Sequence, residues 1–157
     1  VLVLSNRASS GVLIRAQSHN VATFIFTKND LNECSKVHKV LKDYNVSMIV
    51  LAGFLLKIPL YMIKAYPNSI INIHPALLPK FGGKGMYGMN VHKAVLENNE
   101  QTSGITIHYV NENYDEGDII FQAKCDIDEH DLPEDVKRKV QVLELCHFPS
   151  VIESIIQ

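Results

Sequence analysis

Apolar residues in this chain form short continuous runs that alternate with segments of helical spacing. The continuous runs predict buried strands at 1–4, 23–27, 48–52 and 70–74. Apolar residues repeated every three or four positions predict helices at 12–18, 31–44 and 59–65. Because strands and helices alternate, the pattern predicts a parallel sheet with right-handed crossovers and helices on both faces.

The second half of the chain has a different pattern. Two further strands are predicted at 103–110 and 119–126, and the polar segment between them suits a hairpin. Asn90 is expected to cap a helix at 91–97, and Pro133 is expected to open a last helix that continues past Pro149. The sequence therefore predicts an α/β fold: a Rossmann-like, mostly parallel sheet with helices on both faces and an antiparallel C-terminal hairpin.

One helix start carries a capping signal. Asp30 is predicted to be the N-cap, with Glu33 three residues later completing a D-x-x-E box. The apolar stripe of this helix is predicted to comprise Leu31, Cys34, Val37, Leu41 and Tyr44.

Composition narrows the possible classes of protein. The chain has 157 residues, 46% of them hydrophobic and 20% charged, which suits one globular domain over 1–157. A net charge of -2 does not indicate the excess of positive charge that is typical of nucleic-acid-binding proteins. No apolar run approaches the ~20 residues that span a bilayer. Three widely spaced cysteines favour a reducing, cytoplasmic setting. The chain starts directly on a strand, so we expect a further segment before Val1.

Two polar side chains share one face of the strand at 70–74. Side chains alternate along a strand, so Ile71 and Ile73 face a core while Asn72 and His74 face the other way. The strand ends there, before a loop with glycines at 82, 83, 85 and 88. Ligands of open α/β sheets bind at the carboxyl ends of strands. Asn72 and His74 are therefore candidate site residues.

Asp115, at the tip of the predicted hairpin, adds a carboxylate. An asparagine amide can stabilise an oxyanion, a histidine can exchange a proton near neutral pH, and a nearby aspartate favours the charged imidazole. No serine or cysteine occupies a nucleophile elbow. These residue types suit direct acyl transfer to an amine. The alternative is that Asn72 and His74 have only structural hydrogen bonds.

His108 could line the same pocket. It lies on the predicted strand at 103–110, on the same face as Thr106. A zinc or iron site formed by His74, His108 and Asp115 is a chemically plausible alternative, although the spacing is unspecific.

Four segments in this order resemble the folate-dependent formyltransferase family. They read A-G-F at 52–54, N-I-H-P-A-L-L-P at 72–79, G-I-T-I-H-Y-V at 104–110 and D-E-G-D-I-I at 115–120. The resemblance extends from Val1 to about Pro149. It implies the formyltransferase fold.

The resemblance also implies a reaction. The family uses 10-formyltetrahydrofolate as cosubstrate, and the best match implies formyl transfer to the amine of glycinamide ribonucleotide in de novo purine biosynthesis. Asn72, His74 and Asp115 match its catalytic residues. No metal is implied, and the partners are small molecules rather than nucleic acid or membrane, in a monomer or homodimer.

Binding residues follow from the same resemblance. Gln141 and Glu144 match positions that hold the ribose end of the ribonucleotide, and His108 is predicted to contact substrate. The folate-binding positions are predicted to be Phe54, Leu55, Leu56, Ile58, Val110, Asn111 and Tyr114.

This chain departs from the family in three places. The family begins with a strand and a glycine-rich loop for the substrate phosphate. The sequence from Val1 onward does not contain them, which fits the further segment expected before Val1. Leu56 stands where the family often has arginine, and the loop at 80–90 is longer than in many relatives. Alternatives on the same fold are a 10-formyltetrahydrofolate hydrolase, a formyltransferase for another amine such as methionyl-tRNA, or a binding module without activity.

Overall fold

The computed structural model describes residues 1–33 and 36–157. Its strands and helices follow the predicted order, with one predicted helix divided in two. The elements are β1 Leu2–Ser5, α1 Gly11–Ser18, β2 Ala22–Ile25, α2 Lys28–Asn32, α3 Lys36–Asp43, β3 Ile49–Leu51, α4 Leu60–Ala65, β4 Ile70–His74, α5 Met89–Glu97, β5 Thr102–Tyr109, β6 Ile119–Asp126 and α6 Pro133–Ile156.

Strand pairing changes direction at β4. The pairs β1–β2 and β3–β4 are parallel, as helical crossovers require. The pairs β4–β5 and β5–β6 are antiparallel. The predicted antiparallel hairpin is therefore confirmed, and β4 lies between the parallel and antiparallel parts.

The described strands form two hydrogen-bonded groups, β1–β2 and β3–β4–β5–β6. Between them runs a groove of about 500 Å³, lined by residues of both β1 and β3, including Leu4 and Val50. The prediction that these two strands are buried on both faces is wrong for Val50, which is 39% exposed. Among the described strands, none pairs with β3 on the groove side.

The start of α2 differs from the prediction. Thr27 is the N-cap, and its hydroxyl accepts the backbone N–H of Asp30 at 3.2 Å while Asp30 accepts the N–H of Thr27 at 2.9 Å. The capping box therefore begins three residues earlier than predicted, because the threonine hydroxyl already satisfies the first turn. Of the predicted stripe, Cys34 lies outside the described residues and Tyr44 is half exposed, beyond the end of α3.

The ends of α5 and α6 are set by glycine and proline. Gly88, at a φ of +55°, precedes α5, so the prediction of Asn90 as N-cap is wrong; its amide donates to the Gly85 carbonyl instead. The prediction that α6 continues past Pro149 is confirmed.

No helix in the described residues has the length and apolarity needed to cross a bilayer.

Strand β4 contributes to two apolar clusters. Ile70 packs with α2, α3 and α4 residues on one face, whereas Ile71 and Ile73 pack with β5 and α6 on the other. This confirms the predicted alternation. Asn72 and His74 share the face of Ile70 and lie beyond it, where the strand ends.

The hairpin tip depends on a close approach at Gly117. A Cβ atom there would lie 1.8 Å from the carbonyl oxygen of Tyr109, so Gly117→Ala forces the two strands apart. We expect the free energy of unfolding to fall by about 1–3 kcal/mol or more. Thermal denaturation of the full-length protein measures this. Gly11→Ala is the control, because its Cβ meets nothing within 4 Å; equal melting temperatures for the two variants would contradict the prediction.

Candidate active site

A cavity of about 680 Å³ opens at the carboxyl ends of β3 and β4. Its walls come from these strand ends, the loop before α5, the hairpin tip and α6. Most of the residues predicted to bind or react line it: Phe54, Leu55, Asn72, His74, Tyr114, Asp115, Gln141 and Glu144. The structure therefore brings together side chains from four separate parts of the sequence.

Asn72 faces His108 across the β4–β5 pair. The two residues are register partners, and the Asn72 Nδ2 lies 3.2 Å from the His108 Nε2. The other ring nitrogen of His108, Nδ1, lies 2.8 Å from the carbonyl oxygen of Tyr109. His108 is thus buried next to Asn72. One of its ring nitrogens lies beside the Asn72 amide and the other beside the Tyr109 carbonyl.

His74 is held between a backbone carbonyl and a carboxylate. Its Nε2 lies 2.8 Å from the Phe81 carbonyl oxygen, which only accepts, so Nε2 carries the hydrogen. Its Nδ1 lies 3.6 Å from Oδ2 of Asp115. In the neutral ring a lone pair on Nδ1 would face this carboxylate, whereas the protonated ring directs an N–H toward it. These neighbours favour the imidazolium form.

Asp115 is fixed by the glycine-rich loop. Its Oδ2 accepts the backbone N–H of Gly83 at 2.9 Å, and its Oδ1 lies 3.6 Å from Nε2 of His108. Gly82 packs against it so closely that an added Cβ would lie 3.2 Å from the Cβ of Asp115. Asp115 also has a φ of +57°, a strained value for a residue with a side chain.

Burial and charge oppose each other at the site. Burial lowers the pKa of His74 below its ordinary value, while Asp115 and the Phe81 carbonyl act to raise it. Burial alone would raise the pKa of Asp115, but His108, the Gly83 N–H and His74 together lower it. A charged Asp115 is therefore present beside an imidazole whose protonation depends on it.

A family model described as formyl transferase matches residues 1–152. The chain belongs to the formyl transferase family. A chloroplastic phosphoribosylglycinamide formyltransferase of Arabidopsis thaliana is 43% identical over 145 residues, which cover 89% of this chain and 50% of the relative. Its counterpart in Bacillus subtilis is 33% identical over 99% of this chain and 79% of its own. The chain spans about half the length of the plant relatives that it matches.

A solved structure confirms the formyltransferase fold. The crystal structure of phosphoribosylglycinamide formyltransferase from Anaplasma phagocytophilum matches with a TM-score of 0.89 at 30% sequence identity, over 98% of this chain and 72% of that one. The family resemblance read from the sequence is therefore confirmed, together with the predicted fold class.

The wall opposite β4 is formed by α6. Gln141 and Glu144, which the family resemblance assigns to the ribonucleotide, both line the cavity. Burial raises the pKa of Glu144. Lys137, one turn before Gln141, also lines this wall.

The predicted folate-binding residues divide into two groups. Phe54, Leu55 and Tyr114 line the cavity. Lys57 extends over the Tyr114 ring, with its Nζ 5.7 Å from the ring centroid. The others are not part of the cavity lining: Leu56 and Ile58 line the groove between β1 and β3, Val110 packs on a core cluster, and the Asn111 side chain accepts the N–H of Asn113.

Sequence reasoning missed the backbone groups of the loop. The Phe81 carbonyl and the Gly83 N–H hold His74 and Asp115, and Phe81 has a φ of +57°. Side-chain patterns carry no signal for such contacts. His92 was also passed over; it is buried in the cavity wall, and its Nδ1 has no hydrogen-bond partner among the described residues.

The residues of the metal alternative, His74, His108 and Asp115, lie close together in the structure. Among the residues that the structure describes, no group of three His, Cys, Asp or Glu side chains is arranged to hold a metal ion. The ring nitrogens of His74 lie beside Phe81 and Asp115, and those of His108 lie beside Tyr109, Asn72 and Asp115.

Proposed function

We propose that the protein transfers the formyl group of 10-formyltetrahydrofolate to the amine of glycinamide ribonucleotide. The observation that carries this proposal is the convergence of Asn72, His74 and Asp115 in one cavity of a formyl transferase family member. The named relatives act as phosphoribosylglycinamide formyltransferases. Purine biosynthesis and a cytoplasmic location complete the proposal; Cys125 and Cys146, both unpaired, fit a reducing compartment.

The reaction begins with attack of the substrate amine on the formyl carbon. A C–N bond forms and the carbonyl π pair moves to the oxygen, which becomes an oxyanion. Asn72 donates an N–H to this oxygen. Protonated His74 donates from Nδ1, which lies 3.6 Å from Asp115 and therefore makes no hydrogen bond to that carboxylate. The Phe81 carbonyl holds the other side of the ring, so only the imidazolium offers this second hydrogen.

Collapse of the intermediate completes the transfer. The oxyanion re-forms the carbonyl, the bond to N10 of the folate breaks, and the proton lost by the amine reaches N10 through a water. Asp115 stabilises the imidazolium and helps to order that water. Gln141 and Glu144 bind the ribose hydroxyls. Phe54, Leu55 and Tyr114 contact the folate directly, and Leu56, Ile58, Val110 and Asn111 support this side of the site.

We infer that a further strand of the same domain lies in the groove between β1 and β3. Within the part of the chain that the structure describes, neither strand has a hydrogen-bonded neighbour on this side, and apolar side chains such as Val50 line the groove. A strand placed there would pair with both neighbours and give one continuous sheet. The glycine-rich phosphate loop of the family would follow this strand and lie beside the cavity.

An assay with two readouts tests the proposed function. The full-length protein is incubated with 10-formyltetrahydrofolate, with and without glycinamide ribonucleotide, and both formylated product and free formate are measured. We expect formylated ribonucleotide only when the acceptor is present, with little formate. Formate release that is independent of the acceptor would instead indicate a hydrolase.

A further inference from the structure

The orientation of the Asn72 amide depends on His108. His108 is 2% exposed and lies directly opposite Asn72 in the β4–β5 register. Its Nε2 is within hydrogen-bond distance of the Asn72 Nδ2, at 3.2 Å. The Oδ1 of Asp115 lies 3.6 Å from the same nitrogen, farther away than the Asn72 amide. Among the described residues, the Asn72 amide is therefore the nearer side-chain partner of this nitrogen.

The Tyr109 carbonyl decides which ring nitrogen of His108 carries the hydrogen. A carbonyl oxygen only accepts, so the 2.8 Å contact requires a hydrogen on Nδ1. In the neutral ring, Nε2 then has a free lone pair that accepts one N–H of Asn72. An inverted amide would place the Asn72 oxygen against this lone pair, which is repulsive.

We propose that His108 is a positioning residue that fixes the Asn72 amide, so that its second N–H remains available to the formyl oxygen. This inference rests on the proposed function and gives His108 a role different from substrate contact. It also explains why a buried histidine lies behind an asparagine at the end of β4. Preorganised donors act most strongly when they do not have to reorient during the reaction.

Two substitutions separate positioning from packing. His108→Met keeps a side chain of similar size but loses a good acceptor, whereas His108→Gln retains an acceptor for Asn72 and a donor for the Tyr109 carbonyl. In the full-length protein we expect His108→Met to lower kcat about 10- to 100-fold, with KM for the folate nearly unchanged. His108→Gln should recover most of the rate. A His108→Met enzyme with wild-type kcat would overturn the proposal.

The Asn72→Ala background gives a second readout. If His108 acts through Asn72, His108→Met should have little further effect once that amide is removed. An equal loss of kcat with and without Asn72 would show a general structural role and overturn the proposal.

A measurement on the unmodified protein avoids any folding defect of the variants. In protein labelled with 15N, an N–H···N hydrogen bond produces a scalar coupling between the Asn72 Nδ2 and the His108 Nε2. We expect this coupling to be present; its absence, with both signals assigned, would overturn the inference. If the wild-type protein forms no formylated product, the proposed function fails, while the coupling still reports on the amide.

Discussion

Replacing His74 with alanine in the full-length protein is expected to lower kcat for formyl transfer by at least ~10²–10³. In the proposed mechanism the imidazolium is one of two donors to the formyl oxygen, and the Phe81 carbonyl and Asp115 lie beside its two ring nitrogens. Because the residues proposed to contact the folate, Phe54, Leu55 and Tyr114, are separate side chains, folate affinity should change little. Steady-state kinetics and a folate-binding titration measure the two quantities.

His130→Ala is the matched control for this substitution, since His130 is exposed and is not part of the cavity lining. It should retain wild-type kcat and a wild-type melting temperature. If His74→Ala also retained normal turnover, His74 would have no catalytic role, whatever its contacts.

Asp115→Asn is expected to have the second large effect. The amide oxygen of asparagine can still accept the Gly83 N–H, so the local geometry is preserved while the negative charge is lost. Burial already lowers the pKa of His74, and Asp115 opposes this effect. Without the carboxylate, the pKa of His74 falls further and less of the imidazolium is present at neutral pH. We expect kcat to fall by at least ~10².

Two measurements check this prediction. NMR titration of the His74 ring should show protonation at a lower pH in Asp115→Asn than in the wild-type protein. Asp118→Asn, an exposed carboxylate in the same hairpin, should change neither the titration nor kcat. A His74 ring that titrates identically in both variants would show that Asp115 does not set its charge.

Much of the fold could be predicted because apolar periodicity reflects burial. The run at 70–74 coincides with β4, and the alternation of Ile71, Asn72, Ile73 and His74 gave the correct faces. Capping was predicted less well. Thr27 and Asp30 both have capping side chains, and in the structure the Thr27 hydroxyl accepts the Asp30 N–H, which makes Thr27 the N-cap. At α5, the positive φ of Gly88 stops the helix from starting earlier, and Asn90 lies inside it.

The side chains of the site could be predicted from the sequence, whereas the backbone groups that hold them could not. Asn72 and His74 follow from strand alternation, whereas Asp115, 41 residues beyond His74 in the sequence, was added for its chemistry and the family resemblance, because no spacing links it to them. The Phe81 carbonyl and the Gly83 N–H belong to a loop that no periodicity describes. Leu56 and Ile58 follow the cavity-lining residues Phe54 and Leu55 in the sequence, but they line the groove between β1 and β3 and are not part of the cavity lining.

The central claim is that Asp115 acts largely through a protonated His74. A double-mutant cycle of His74→Ala and Asp115→Asn, measured as kcat for formyl transfer by the full-length protein, tests it most directly. The account predicts that the double variant is far more active than the product of the two separate losses implies, because Asp115 has little left to stabilise once His74 is gone. Losses that simply multiply would contradict it.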